Sequence, residues 1–226
     1  MKISKYFLFR LFIISIAIST SSFTTQCKKD VSIADINGNE AGIDPLLLTQ
    51  NEQDTILHGS ETSKMRILTI FNYNDSLKLR QKCTDVKPDT NDVALMRLIN
   101  RMLVTVKDPL NSGVGIAAPQ VGINRNIVWV QRRDKVGYPW EVFLNIKIIL
   151  YSNKQINFAG DGCLSIPGQS GTTKRYTAVA IEYDKIDGTH HQELVEGFSA
   201  STNFAAIIFQ HEIDHLNGIL YIDRLI

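Results

Sequence analysis

Apolar residues recur at steps of three and four in two stretches of this 226-residue chain, with short apolar runs between them. From Asp92 to Lys107, the residues Val93, Met96, Ile99, Leu103 and Val106 keep helical spacing, with Thr90 or Asn91 placed to cap the start. Further along, Phe204, Ile207, Ile208, His211 and His215 fall on one side of a second helix, which Gly218 is placed to stop. The runs Ile127–Gln131, Trp140–Leu144, Ile146–Tyr151, Ala178–Asp184 and Gln192–Glu196 predict short strands. Turn signals such as Val136-Gly137-Tyr138-Pro139 and Asp187-Gly188 separate some of them. Residues 28–64 show no period. They are rich in Asn, Asp, Glu, Ser and Thr and read as a polar flexible linker, so the packed domain is expected to begin at Met65.

The first residues have a different character. Lys2, Lys5 and Arg10 precede the apolar run from Leu11 to Ser19, which is shorter than the roughly 20 residues that span a bilayer. A basic segment followed by a short apolar core predicts an export signal over residues 1–27. Cys27, just past that core, resembles a lipoprotein processing site, which implies acylation and membrane attachment; Gln26 departs from the small residue usual before such a cysteine. The alternative is translation from Met65 and a cytoplasmic protein.

Composition narrows the classes. With 44% apolar and 21% charged residues, the chain suffices for one globular domain plus an extension. A net charge of +1, without a clustered basic face, leaves no electrostatic footprint for nucleic acid. Three cysteines, at 27, 83 and 163, make no disulfide framework, and Cys83 is expected as a free thiol.

The chemistry is concentrated in the second helix, at His211-Glu212-Ile213-Asp214-His215. One helical turn separates the two imidazoles, so both can reach one metal ion, and Glu212 stands where it can take a proton from a water that the metal activates. Two core histidines at chance spacing are the bland alternative, and the Glu directly after the first His argues against it. A third ligand downstream is not at hand: Tyr221 stands six residues past His215, and only Asp223 follows. Upstream, the candidates are Cys163, Asp161 and the pair His190/His191. Cys163 lies in Gly160-Asp161-Gly162-Cys163-Leu164-Ser165, where glycines let the backbone turn and present the sulfur; a buried inert thiol is the competing reading. His190 and His191 read as a strand end. A thiolate with two imidazoles leaves an open position, the arrangement of a catalytic metal. The run from Gly113 to Gln120 lets another chain approach its backbone, and it is no phosphate loop because no Gly-Lys-Ser/Thr follows.

Three motifs in order, Gly113-Val114-Gly115-Ile116-Ala117-Ala118-Pro119-Gln120, Gly162-Cys163-Leu164-Ser165 and His211-Glu212-Ile213-Asp214-His215-Leu216, resemble those of peptide deformylases. The similarity covers roughly residues 65–226. It implies an α+β fold of small, mostly antiparallel sheets around the helix that carries the histidines. It further implies an enzyme that removes the formyl group from N-formylmethionyl peptides and uses Fe(II), or else zinc or nickel. Carried over by position, Cys163, His211 and His215 correspond to metal ligands and Glu212 to the catalytic acid/base. Gln120 and the backbone N–H of Leu164 correspond to oxyanion donors. Gly113, Val114, Gly115 and Gly162 correspond to substrate-pairing backbone, and Phe204 and Ile207 to walls of the methionine pocket. The family usually has Glu where Asp161 stands; the shorter side chain is expected to displace any bond it makes, with Arg175 as its candidate partner. The usual Asn-Pro after the central strand reads Asn145-Ile146. A weakly active or non-catalytic surface or periplasmic peptide-binding protein on the same scaffold is the rival from another class, and retention of Gln120 and Glu212 argues against it. A zinc peptidase acting on internal bonds would want the missing downstream ligand.

Overall fold

The computed structural model describes residues 44–111 and 113–226, which belong to one compact unit, Ile43–Ile226. The export signal, Cys27 and the first part of the expected linker lie outside the described residues. In chain order the elements are α1 (Gln50–Leu57), α2 (Tyr73–Leu79), α3 (Val93–Val106), β1 (Gly115–Ala117), β2 (Ile127–Gln131), β3 (Trp140–Tyr151), β4 (Gln155–Gly162), β5 (Ser170–Tyr176), β6 (Ala178–Asp184), β7 (His190–Glu196) and α4 (Ala205–Leu216). A 3₁₀ turn at Ala118–Val121 follows β1, and another at Tyr221–Arg224 follows α4. The fold is α+β, with every strand pair antiparallel.

Strands β1-β2-β3-β6-β7 form one sheet, and β4 and β5 a separate hairpin. Around β1, β2 and the first half of β3 the large sheet is covered on both faces, whereas β6 and β7 bury one face only. In β2, Ile127 and Trp129 join a core with α1 and α3, whereas Val128 and Val130 join a second core with α4. Period-two alternation sends neighbouring residues to opposite faces, which is why this strand reads as an unbroken apolar run. Trp129 buries its indole against α3 and donates to the Ile99 carbonyl at 2.9 Å.

Helix α4 is buried almost throughout; of its twelve residues only His211 is not fully enclosed. It starts under Asn203, whose side-chain oxygen accepts from the Ala205 N–H at 2.9 Å. It ends at Gly218, at φ +71, where the Ile219 N–H closes on the Asp214 carbonyl at 2.9 Å. A Cβ at residue 218 would sit 2.3 Å from the Arg80 carbonyl oxygen, so glycine is required for packing as well as for the turn.

Several expectations need correction. Asp92, not Thr90 or Asn91, caps α3, accepting from the Ala94 and Leu95 N–H groups at 2.9 and 3.0 Å. The helix is also rotated from the expected face: Leu95, Leu98, Ile99, Met102 and Val106 are buried, while Val93 is exposed. The two strands expected on either side of Asn145 are one, β3, interrupted by a register shift. Asn145 takes φ +53 there, and its side chain holds the Val86 N–H and C=O at 2.8 and 2.9 Å and Asp184 at 2.8 Å. Asparagine tolerates that left-handed conformation because its amide bonds locally.

The linker expectation fails over residues 44–64. Thr49 and Glu52 form a capping box that starts α1. Leu48 and Ile56 enter the α3 core. The buried Arg125 guanidinium binds Glu52 at 2.8 Å and the carbonyls of Pro45 and Leu47 at 2.7 and 2.6 Å. Arg101 likewise donates to the Ile56 and Ser63 carbonyls, at 2.7 and 3.1 Å. Two buried guanidinium groups therefore depend on this segment. Deleting residues 1–64 should lower the unfolding free energy by at least about 3 kcal/mol, from two lost apolar side chains at roughly 1.5–3 kcal/mol each, before any cost of unpaired Arg101 and Arg125. Urea denaturation of the full and shortened chains checks this; equal midpoints would make the segment a passenger.

Candidate active site

Helix α4 turns His211 and His215 toward the hairpin, with ring centroids 5.1 Å apart. Cys163 follows directly on β4, and its Sγ lies 3.2 Å from His215 Nε2. One ligand atom each from Cys163, His211 and His215 falls within 4.8 Å of the others. Asp161, the other upstream candidate that the chain brings near, stands outside this trio. It accepts from His211 Nδ1 at 2.8 Å, which leaves His211 Nε2 for the thiol side. His190 is an exposed β7 residue bonded to Asp184 at 2.8 Å, and neither it nor His191 joins the trio.

Glu212 lies beside the trio, buried, with Oε2 making no hydrogen bond. Its carboxyl packs on β1: a Cβ at Gly115 would lie 2.4 Å from Oε1, so only glycine fits opposite this carboxylate. Gln120 is held from behind, its Oε1 accepting from the Ala117 N–H at 2.9 Å. That contact fixes the amide, so Nε2 faces Cys163 Sγ at 3.5 Å and Ser165 Oγ at 3.3 Å.

Electrostatics follow from burial and these contacts. Burial works against ionisation of Cys163, yet the His215 charge and bonds from His211 and His215 hold the thiol well below its usual range. Burial also opposes a charged His211, but its bonds to Asp161 and Cys163 raise it well above the ordinary histidine value. Burial pushes Glu212 up to about 7, against the pull of both imidazoles. Asp161 is held below the usual carboxylate range, because His211 and Arg175 outweigh its burial. Asp161 and Cys163 on either side of His211 favour positive charge there, which a divalent cation would supply. A thiolate and two imidazoles suit such an ion, so the residues fit a metal.

Cys163, His211 and Glu212 line a cavity of about 730 Å³. Gly113, Val114, Gly115, Gln120, Gly162, Leu164, Phe204 and Ile207, all singled out in the sequence, line it. Phe158 is a wall the sequence did not reveal; it stacks on Phe204 with ring centroids 6.0 Å apart. The only signal for it was its alternation with Ile156 in a short stretch interrupted by polar residues and glycines.

A thiolate and two imidazoles beside a buried carboxyl near neutrality define a metal-dependent hydrolase site. Comparison with known proteins gives its family. The family model for polypeptide deformylase matches residues 67–226. Peptide deformylase 1 of Clostridium perfringens is 38% identical over 152 residues, 67% of this chain and 94% of its own. Peptide deformylase 2 of Nostoc sp. is 36% identical over 154 residues, 65% of this chain and 80% of its own. The crystal structure of the Thermotoga maritima peptide deformylase is similar with a TM-score of 0.60 at 33% identity, covering 72% of this chain and 98% of that one. The chain belongs to the polypeptide deformylase family, metal-dependent enzymes that remove the formyl group from N-formylmethionyl peptides.

The expected weakness at Asp161 does not appear. Its second oxygen accepts from Thr173 Oγ1 at 2.7 Å and from Arg175 Nη2 and Nε at 2.8 and 3.2 Å. A register shift between Ala159 and Asp161, with Gly160 at φ +83, accompanies the inward turn of the short side chain. Asp161→Ala should therefore weaken metal retention about tenfold or more, as loss of a histidine's carboxylate partner does. Asp161→Glu should bring no gain, because every bond is already made. Metal content after dialysis against a chelator checks both.

Proposed function

We propose that this chain hydrolyses the formyl amide of N-formylmethionyl peptides with Cys163, His211 and His215 holding one Fe(II) ion and Glu212 moving the proton. Zinc or nickel would satisfy the same three donors. The observation that carries this reading is the buried Glu212 carboxyl, one oxygen without a hydrogen-bond partner, beside the trio. When bound, the ion acts as a Lewis acid that makes water nucleophilic near neutral pH and draws charge from a carbonyl oxygen.

The chain's own groups do the rest. The Glu212 carboxylate, on a residue that lines the cavity, accepts a proton from the attacking water. It later delivers that proton to the departing amine nitrogen, and formate leaves. A carboxyl poised near 7 serves both directions at neutral pH. Gln120 Nε2 and the Leu164 N–H hold the developing oxyanion, each such donor being worth roughly 3 kcal/mol in a dry site. Phe158, Phe204, Ile207 and Ile208 offer the methionine side chain apolar and aromatic walls, which suit a thioether.

Strand geometry supports the mode of peptide binding. β1 is an edge strand of the large sheet, and β4 pairs on one side only, with β5. Val114, Gly115 and the whole run from Phe158 to Gly162 border the cavity between those edges. An extended peptide lying there would pair with exposed backbone on both sides.

Glu212→Ala should leave metal content near stoichiometric while lowering kcat at least a hundredfold, within the ~10²–10⁴ typical of a general acid/base. Formate release from a formyl-Met peptide, with metal assayed on the same sample, tests this. Loss of the metal with full activity on reconstitution would make Glu212 structural.

We further propose that the protein is exported and held at a membrane through an acylated Cys27, on the strength of the basic segment and short apolar core before it. Cell fractionation with N-terminal mass determination is expected to find an acylated chain starting at Cys27. A soluble cytoplasmic chain with free Met1 or Met65 would end this part of the proposal.

A further inference from the structure

We propose that Asp214, which is neither a ligand nor near the cavity, is a positioning residue that sets the His211 imidazole through Arg175 and Asp161. The inference rests on the metal-site reading above.

Arg175 is almost completely enclosed. One edge of its guanidinium binds Asp161, Nη2 at 2.8 Å and Nε at 3.2 Å, while Nη1 binds Asp214 at 2.5 Å. Asp214 in turn accepts from Arg224 Nε and Nη2. A run of alternating charge therefore extends from the 3₁₀ turn Tyr221–Arg224 across α4 and β5 to β4. It terminates on the Nδ1 of His211. Although Asp214 adjoins His215 in the chain, its carboxylate lines a separate cavity with Tyr176, Gln210 and Arg224, apart from the one beside Glu212.

Stability alone is a poor reason for such a run. Buried ion pairs lose in desolvation much of what they gain in attraction, and apolar replacements of similar size often serve as well. Geometry is a better reason. A planar guanidinium with donors along two edges fixes both carboxylates at once. Asp161 belongs to the strand that leads into Cys163, and Asp214 to the helix that carries both histidines. Arg175 thus holds the two halves of the trio in register, and Asp214 is its anchor on the helix. A lysine could not do the same, since its point charge lacks the fork.

The test is a double-mutant cycle on the full chain, reading Zn(II) affinity by chelator competition and urea stability of the metal-free protein. Asp161→Asn should weaken Zn(II) binding about tenfold or more. Asp214→Asn should weaken it about fivefold when Asp161 is present and less than about twofold when Asn stands at 161, because its effect passes through that carboxylate. A stability loss in the metal-free protein that is the same in both backgrounds would accompany this without replacing it. Equal weakening in both backgrounds, or unchanged affinity in Asp214→Asn, overturns the proposal. If Asp214→Asn does not fold, Arg175→Lys takes its place. It should weaken Zn(II) binding about as much as Asp161→Asn does, and wild-type affinity would overturn the proposal. Failure of the metal-site reading shows separately, as Cys163→Ala binding Zn(II) like the wild type.

Discussion

A helix enclosed on nearly every side cannot carry unpaired charge, and α4 carries four titratable side chains in five residues: His211, Glu212, Asp214 and His215. Much of the surrounding structure answers that constraint. Arg175 and Arg224 neutralise Asp214, and Asp161 receives His211. Cys163 meets His215. Glu212 Oε2 and His215 Nδ1 have no hydrogen-bond partner, and for Glu212 burial moves its proton affinity to the neutral range instead. The cost of burying these groups is what makes them chemically useful. A carboxyl at its ordinary value would be a weak base, poorly able to take a proton from water, and burial raises Glu212 to where it can do so.

Part of this was legible in the sequence. The histidine pair and the Gly-Cys-Leu-Ser turn are local patterns in which residue type and spacing carry the chemistry. β2 and β6 could be read to the residue because their apolar runs are continuous or alternate cleanly. The β4–β5 hairpin could not. Most β4 side chains are exposed, Gly160 and Gly162 interrupt the strand, and β5 reads Ser-Gly-Thr-Thr-Lys-Arg-Tyr. Helix α1 was hidden for a related reason: it buries one residue, Ile56, and is held by a capping box and by arginines far along the chain. Local periodicity cannot show a helix whose stability comes from Arg101 and Arg125. The missed face of α3 is a smaller error of the same kind, since Val93 sits in the first turn beyond the core's edge.

Asp161 shows what residue identity alone leaves out. Counting atoms, an aspartate reaches one methylene less than a glutamate, and its contacts should fall short. The structure makes all of them, with the strand bulged beside it at Gly160. Backbone shape can offset a missing methylene, because a bulge changes where a side chain starts as well as where it points. Such an adjustment is not visible until the register of β4 against β5 is known.

The same register bears on how the site meets a peptide. Unpaired strand edges are usually a hazard, since they invite pairing with other chains. Here β1 and β4 present such edges to one cavity whose far wall is apolar and aromatic. Under the proposed function, a peptide lying between them would meet unpaired backbone on both sides, so main-chain pairing would supply affinity without reading sequence. Side-chain discrimination would then fall to the cavity walls Phe158, Phe204, Ile207 and Ile208. Gly115 lets the β1 backbone come against Glu212, and a side chain there would force the strand and the carboxylate apart. The close approach of β1 to the Glu212 carboxyl therefore depends on the absence of a single methyl group at residue 115.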